Sequence, residues 1–561
     1  MKRKRLFLVA SVSLLLASCQ NELPIDLVQP EIIPIAEQQE EFVPSDGMIQ
    51  LGRKLENPYS LENMRKALDL LPAESRSGFS AEDIQLTHLY VKFKPKNVDE
   101  LDAMLWSDSS LDFYDHPLDY EVVSGGRYYH DPSLPEGVPT YYYVSIPVGH
   151  PIPEVCEYEI LEELYIPDEL TDYTRSLSPS FINAIVKKSF EITGNEYECD
   201  AVATRSDSTT RASYTYSGTI RAWDDIMNKY IPVPGALIKC TYWFTTVKAI
   251  TNTNGYYTMV RESQNKYQYK IYWERDNQYD IRDGELDQAI TDGPKQTAGW
   301  SLDIGTSTPK DLNFATITRG AYRYFYGNRG GLNVAQPMST GDLKICYMHE
   351  AHSNGAFGKF NDDITFEIKG DVFIYGKNKS NVLREPSVIY STTVHEMTHA
   401  NQCVALTAND YEDVPLYLKE SWAVFGQSLL FYLEYGELGK YVMTNESYED
   451  IIMEGLQDYE QNLWAITRWP RASDQLEYST LFIDLYDNYN QEAEWGSGYR
   501  YPNDNVFGYS ASILNWIANQ MHNVSDLKSL LKANKPTGVT DVMIDSLVDY
   551  ISNICINGLT Q

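Results

Sequence analysis

"EPSVIYSTTVHEMTHANQCVALTA", residues 385–408, decides how this 561-residue chain is read. Pro386 stands near its start, and proline suits a first helical turn because its missing N–H has no intrahelical partner there. His395 and His399 are four residues apart, so a helix carries both on one face. Two imidazoles so placed reach one tetrahedral Zn²⁺. Glu396 lies one step round, close to such an ion without facing it, where a general base for an attacking water belongs. Val394, Met397 and Val404 give the helix an apolar side for a core.

A hydrolytic zinc site needs a third protein ligand, usually from a following helix. "VPLYLKESWAVFGQSLLFYLEYG" (414–436) supplies one, with Pro415 to open it and Gly436 to end it. Glu420 stands there beside Leu416, Leu418, Trp422, Ala423 and Phe425. A carboxylate among such neighbours costs free energy unless something pairs with it, and a metal meets that need. H-E-x-x-H followed by Lys419-Glu420-Ser421-Trp422-Ala423 resembles the gluzincin zinc metallopeptidases, in their thermolysin-like and aminopeptidase branches. In those aminopeptidases the second helix reads N-E-G-F-A and its glutamate is the third ligand. The resemblance implies a thermolysin-like, mostly helical α+β catalytic domain acting on a peptide or protein. It implies Zn²⁺ held by His395, His399 and Glu420, water completing the set, and Glu396 as the base. Twenty residues separate His399 from Glu420, slightly more than in the aminopeptidases, which leaves the subfamily open. No third histidine follows closely, so the metzincin pattern is absent.

Zinc peptidases usually add a polar group that stabilises the oxyanion. In the aminopeptidase branch this is a tyrosine that opens a helix before small and aliphatic residues. "VFGYSASILNWIANQ" (506–520) has that character, which makes Tyr509 the candidate. Ser512 stands where the branch carries glycine, and Tyr478 and Tyr486 compete for the role. "YMHEAHSNGAF" (347–357) holds His349, Glu350 and His352 at a spacing unlike a helix-borne metal site, and reads as a solvated loop. Its Gly355-Ala356 would otherwise lie by a substrate edge strand, where gluzincins hold peptide backbone by strand addition.

Upstream, Tyr216 to Val260 alternates short β-rich runs with turn signals at Pro232, Pro234-Gly235 and Asn254-Gly255. Asn-Gly between alternating strands predicts a hairpin. Gly218 to Ile220, Pro232 to Ala236 and Thr251 to Tyr257 follow the order of the carboxypeptidase regulatory-like β-sandwich, which this segment resembles over 214–285. The resemblance implies a non-catalytic spacer or binding module. "DITFEIKGDVFIYG" (363–376) predicts two strands meeting near Gly370.

The N-terminal part reads differently. "MKRKRLFLVASVSLLLASCQ" places Lys2 to Arg5 before an apolar run that is too short to span a bilayer, and then small residues. Leu16-Ala17-Ser18-Cys19 resembles the lipobox of bacterial lipoproteins, which implies that Cys19 becomes the lipidated first residue and anchors the chain to a membrane. The expected organisation is a signal peptide (1–19), a tether with one short helix at 60–72 (20–79), an N-terminal α+β domain (80–200), the β-sandwich (214–285) and the zinc-peptidase domain (290–561). "DAVATRSDSTTRAS" (200–213) is the expected linker.

A net charge of −33 repels phosphate backbones and argues against nucleic acid as a partner. The six cysteines after Cys19 form no C-x-x-C pair, which argues against a cysteine zinc site. These features point to a zinc metallopeptidase of the cell envelope, at the outer membrane, with its facing left open. Two alternatives stand beside it. One is an enhancin-like peptidase acting on mucin-type glycoproteins. The other is a surface binding or adhesion lipoprotein with a structural or inactive zinc site, which the β-sandwich and the 43 tyrosines would suit. Glu396 separates the classes, because a purely structural site has no need of a carboxylate beside the metal.

Overall fold

Helix and strand first alternate in a layered region, residues 50–192, of a computed structural model. The structure describes residues 47–557 apart from 77, 136, 168–178, 197–213, 262–264, 276–277, 286, 336–341, 353–354, 358–369, 441–478, 491 and 494–501. Cys19, the 200–213 linker, Tyr478 and the first of the two strands expected at 363–376 lie outside the described residues.

The first region holds strands β1 (Gln50–Lys54), β2 (His88–Lys94), β3 (Tyr120–Ser124), β4 (Tyr142–Pro147) and β5 (Glu157–Leu164). Its helices are α1 (Leu61–Leu70), α2 (Ala73–Arg76), α3 (Val98–Leu105) and α4 (Pro179–Ile192). Ser60 and Asn97 cap α1 and α3, each accepting an otherwise orphan N–H. β2 lies antiparallel between β4 and β5. Its alternation buries both faces. Val91 and Phe93 meet Leu101 and Met104 of α3, while Tyr90 packs 4.9 Å from the Phe244 ring on the other side. β1 pairs with β3, and α1 packs on α4. The short helix expected at 60–72 is α1, and with β1 it is built into this region rather than lying in a tether.

The next strands are β6 (Tyr214–Asp224), β7 (Lys229–Pro232), β8 (Leu237–Tyr242), β9 (Thr245–Ile250), β10 (Tyr256–Arg261), β11 (Tyr267–Tyr272), β12 (Glu274–Arg275), β13 (Tyr279–Asp283), β14 (Asp287–Gln288), β15 (Ile290–Gln296) and β16 (Leu302–Ile304). One sheet runs β10-β6-β16 with β7 on β6, and a second runs β15-β11-β8-β9. Ile220, Tyr257, Ile238, Tyr269 and Ile271 fill the space between them. The Asn254-Gly255 turn forms, with Gly255 at φ +69°. It is not a hairpin turn, because β9 pairs with β8 while β10 pairs with β6 in the other sheet.

The pairing also crosses the boundary expected at 285–290. β15 and β16 lie beyond it and complete the sandwich. β13 lies before it and pairs in parallel with β17 (Leu343–Ala351), in a sheet ordered β12-β13-β17-β19-β18. Here β18 is Gly355–Phe357 and β19 is Val372–Lys377. "YMHEAHSNGAF" is thus the end of an inner strand and an edge strand rather than a loop. The Tyr347 hydroxyl and His349 Nδ1 share a 2.7 Å hydrogen bond, and His352 stacks on Tyr375.

The helices are α5 (Pro309–Tyr326), α6 (Pro386–Leu406), α7 (Ala408–Asp413), α8 (Leu416–Glu437), α9 (Leu481–Tyr486), α10 (Ala511–Ala518), α11 (Val524–Ala533) and α12 (Asp541–Asn557); α5 and α6 pack on this sheet, and α8 packs on α6. The molecule is of mixed α and β class, with several sheets and twelve helices among the described residues. Side chains from the sandwich reach into the helical layer. Arg319 of α5 meets Asp224 at 3.0 Å and Glu434 of α8 at 2.9 Å, with Arg319 and Asp224 in the interior and Glu434 partly buried. Removing one partner of such a buried set strands a charge at a cost of roughly 3–5 kcal/mol. No disulfide joins any two of the five described cysteines. Among the described residues, no helix is long and apolar enough to cross a membrane.

Candidate metal centre

α6 begins at Pro386, as its sequence predicts, and nearly every side chain from Pro386 to Cys403 is buried. Its first turn is capped from the sandwich. The Asp225 carboxylate accepts the Ser387 N–H at 2.8 Å and the Ser387 hydroxyl at 2.5 Å, which also places an anion at the positive end of the helix. α8 lies against α6, and Gly426 makes the approach possible. A Cβ at Gly426 would sit 2.6 Å from Thr398 Oγ1. That contact brings Glu420 of α8 over the face carrying His395 and His399.

The three candidate ligand side chains converge. His395 Nε2 is 3.2 Å from His399 Nε2 and 3.3 Å from Glu420 Oε2, and His399 Nε2 is 3.5 Å from Glu420 Oε1. A tetrahedral zinc ion 2.0–2.2 Å from nitrogen and oxygen ligands holds those ligands about 3.3–3.5 Å apart. The donor set therefore fits the ion in both chemistry and size. Among the described residues it is the one group of three or more His, Cys, Asp or Glu side chains close enough to share a metal.

The outer ring nitrogens are also engaged. His395 Nδ1 donates to Gln427 Oε1 at 2.9 Å, and His399 Nδ1 shares a 3.0 Å hydrogen bond with the Tyr411 hydroxyl. The proton held at His395 Nδ1 leaves its Nε2 lone pair for a metal, and His399 offers its own Nε2 in the tautomer that donates from Nδ1 to Tyr411. Tyr411 reaches His399 because the chain turns sharply at Thr407, whose φ of +73° is strained for a β-branched residue. Lys419 Nζ, on α8, donates to the Tyr411 carbonyl at 3.2 Å and holds this return segment against the ligand helix.

Electrostatics separate the two glutamates. Burial alone would raise the Glu420 carboxyl, but the two imidazoles beside it hold it well below the usual carboxylate range, so it stays an anion. Burial pushes Glu396 up to about 8, and the neighbouring Glu420 charge adds to this against the opposing His395. Burial also lowers His399, whereas in His395 the adjacent Glu420 and Glu396 outweigh burial and raise it. Glu396 is 2% exposed and lies under β18. A Cβ on Gly355 would sit 2.7 Å from Glu396 Oε1, so only glycine lets the strand pass so close. The outer edge of β18 has no partner among the described strands.

Tyr509 is not brought to this cluster. It is buried beneath α10 and donates its hydroxyl proton to the Leu531 carbonyl at 2.8 Å, which uses the one proton an oxyanion would need. Tyr486 is half-buried with its ring on Phe425. Sequence reasoning missed Tyr411, which sits in an acidic segment without a motif. It also missed Gln427, whose position seven residues after Glu420 on the same helix was a usable signal. The chain matches no family model, no curated protein and no solved structure.

Proposed function

We propose that the chain is a zinc-dependent peptidase, anchored at the bacterial cell envelope through lipidated Cys19. The carrying observation is the convergence of His395, His399 and Glu420, at ligand-atom separations of 3.2–3.5 Å, beside a buried Glu396 under an open strand edge. Bound zinc would supply Lewis-acid polarisation of a carbonyl and make water more acidic. The chain's own groups do the rest. Glu396 accepts a proton from the attacking water and passes it to the leaving amine. Gln427 and Tyr411 keep the imidazoles oriented, and the outer edge of β18 holds an extended peptide by backbone hydrogen bonds.

The position of Glu396 favours this reading over a surface binding protein with structural zinc, since a structural site has no use for a second buried carboxylate next to its ligands. The test combines metal analysis of the purified chain with turnover of broad peptide and glycopeptide libraries. Zinc near one per chain together with cleavage supports the reading. Zinc with no cleavage in either library turns it towards the binding protein.

A further inference from the structure

A cavity of about 380 Å³ lies where the three regions meet, walled by α3 and the loop after it, by the sandwich strands β8 and β11, and by β13. No residue of the metal centre lines it. The sheet order puts β13 towards the opposite side of the six-stranded sheet from β18. Its volume falls within the range of small-molecule sites, roughly 300–1,000 Å³.

The wall carries six carboxylates against three cationic side chains, and those three cations are already engaged. Lys239 meets Glu274 at 3.1 Å, Lys248 meets Asp112 at 2.8 Å, and Arg282 is bound to Asp280. Two features are left over. Asp280 is 3% exposed, and its Oδ1 has no hydrogen-bond partner. Asp287 lines the cavity and remains accessible, yet it has no ion pair or side-chain hydrogen bond among the described residues. Protein surrounds it closely enough that burial, with Asp283 and Asp115 nearby, pushes its carboxyl up to about 6.

Aromatic faces complete the wall. The Tyr142 phenol lies among Asp115, Asp287 and Asp280, and burial with those charges keeps it neutral. Lys239 Nζ sits 3.9 Å above the Tyr272 ring, so this wall already holds one cation against an aromatic face. A neutral sugar would use the rings and leave the surplus carboxylate unmatched, and an anion would be repelled.

We propose that this cavity binds a small organic cation, a primary ammonium or guanidinium group whose charge meets Asp287 and whose body packs against Tyr142 and Trp106, both of which line it. The site is independent of the reading of the metal centre.

The test is calorimetric titration of the full chain with agmatine and glucosamine, beside N-acetylglucosamine as a neutral probe and glutamate as an anionic one. The two cations should bind saturably, with a dissociation constant of about 1 mM or below. N-acetylglucosamine should bind at least about tenfold more weakly, and Asp287→Asn should weaken the cations by a similar factor because one charge is lost from a partly dehydrated site. Asp287 is accessible and unpaired, so the variant should keep the circular dichroism and zinc content of the wild type. Equal binding of the neutral probe, unchanged cation affinity in Asp287→Asn, or no saturable cation binding overturns the proposal.

Discussion

Gly355→Ala tests whether the edge strand and the base form one working surface. The added Cβ would lie 2.6 Å from Thr392 Cγ2, 2.7 Å from Glu396 Oε1 and 2.9 Å from Glu396 Cγ. Carbon atoms in contact ordinarily stand about 3.5–4.0 Å apart, so something must move by about 1 Å. Thr392 and Glu396 are buried on α6, a helix packed on several sides, whereas β18 has three residues and one paired neighbour. The strand is therefore the part that yields. Overpacking costs about 1–3 kcal/mol, and an edge strand free to shift should fall at the low end, lowering Tm of a chain this long by only about 1 °C. Activity is far less tolerant, since a misplacement of about 1 Å can cost about a hundredfold. None of the three proposed zinc ligands is among the residues met by the new methyl group, so any bound metal should stay. The assay is kcat/KM on the best library peptide, beside Tm and zinc per chain. A kcat/KM within about twofold of the wild type would refute the placement of β18 over Glu396 as a substrate edge.

Tyr411→Phe removes the partner of His399 Nδ1, and losses of this kind usually weaken metal affinity about 10–100-fold. Chelator competition measures it, and an unchanged affinity would contradict the role given to the hydroxyl. A chain starting at residue 290 lacks β13, Asp224 and Asp225, so Arg319 loses a buried partner and α6 loses its cap. It should fail to fold, and a cooperative urea transition for that fragment would show that the interleaving is dispensable. Asp487 and Asp504 are pushed well above the usual carboxylate range by burial and by the nearby Asp484 charge. The folded chain keeps protons there that an unfolded aspartate releases near pH 3.9. That contribution is complete below about pH 4 and is lost as pH rises through the folded values. Asp504→Asn should therefore match the wild type near pH 4 and exceed it in Tm at pH 8 by about 2–4 °C. A gap that does not grow with pH would count against this account.

Local signals carried the two helices of the candidate site well. Pro386 and Pro415 fixed where α6 and α8 begin, and four-residue spacing put both histidines on one face. Glu420 was legible because an isolated carboxylate in an apolar helix demands a partner. The domain boundaries were not legible in the same way. Alternation marks Tyr279–Asp283 as a strand, but its partner is Leu343–Ala351, some sixty residues on, and no periodicity names it. The Asn254-Gly255 turn formed where expected, yet turn chemistry does not say which sheet the next strand joins. Tyr509 shows the same limit from another side. A tyrosine before a helix is a local pattern, but whether its hydroxyl meets a substrate or the Leu531 carbonyl depends on how distant helices pack. Asp225 capping α6 from the sandwich is likewise a long-range contact.

The central claim is that two buried carboxylates 24 residues apart do different work, Glu420 as ligand and Glu396 as base. Metal content by mass spectrometry, measured beside peptide turnover for Glu420→Ala and Glu396→Gln, tests it most directly. Glu420→Ala removes one of three ligands and should lose both zinc and activity. Glu396→Gln keeps shape and polarity but cannot take up a proton. Zinc should therefore stay near one per chain while hydrolysis falls by at least about 10²–10⁴. If Glu396→Gln loses zinc as completely as Glu420→Ala, or keeps both zinc and full turnover, the division of roles is contradicted.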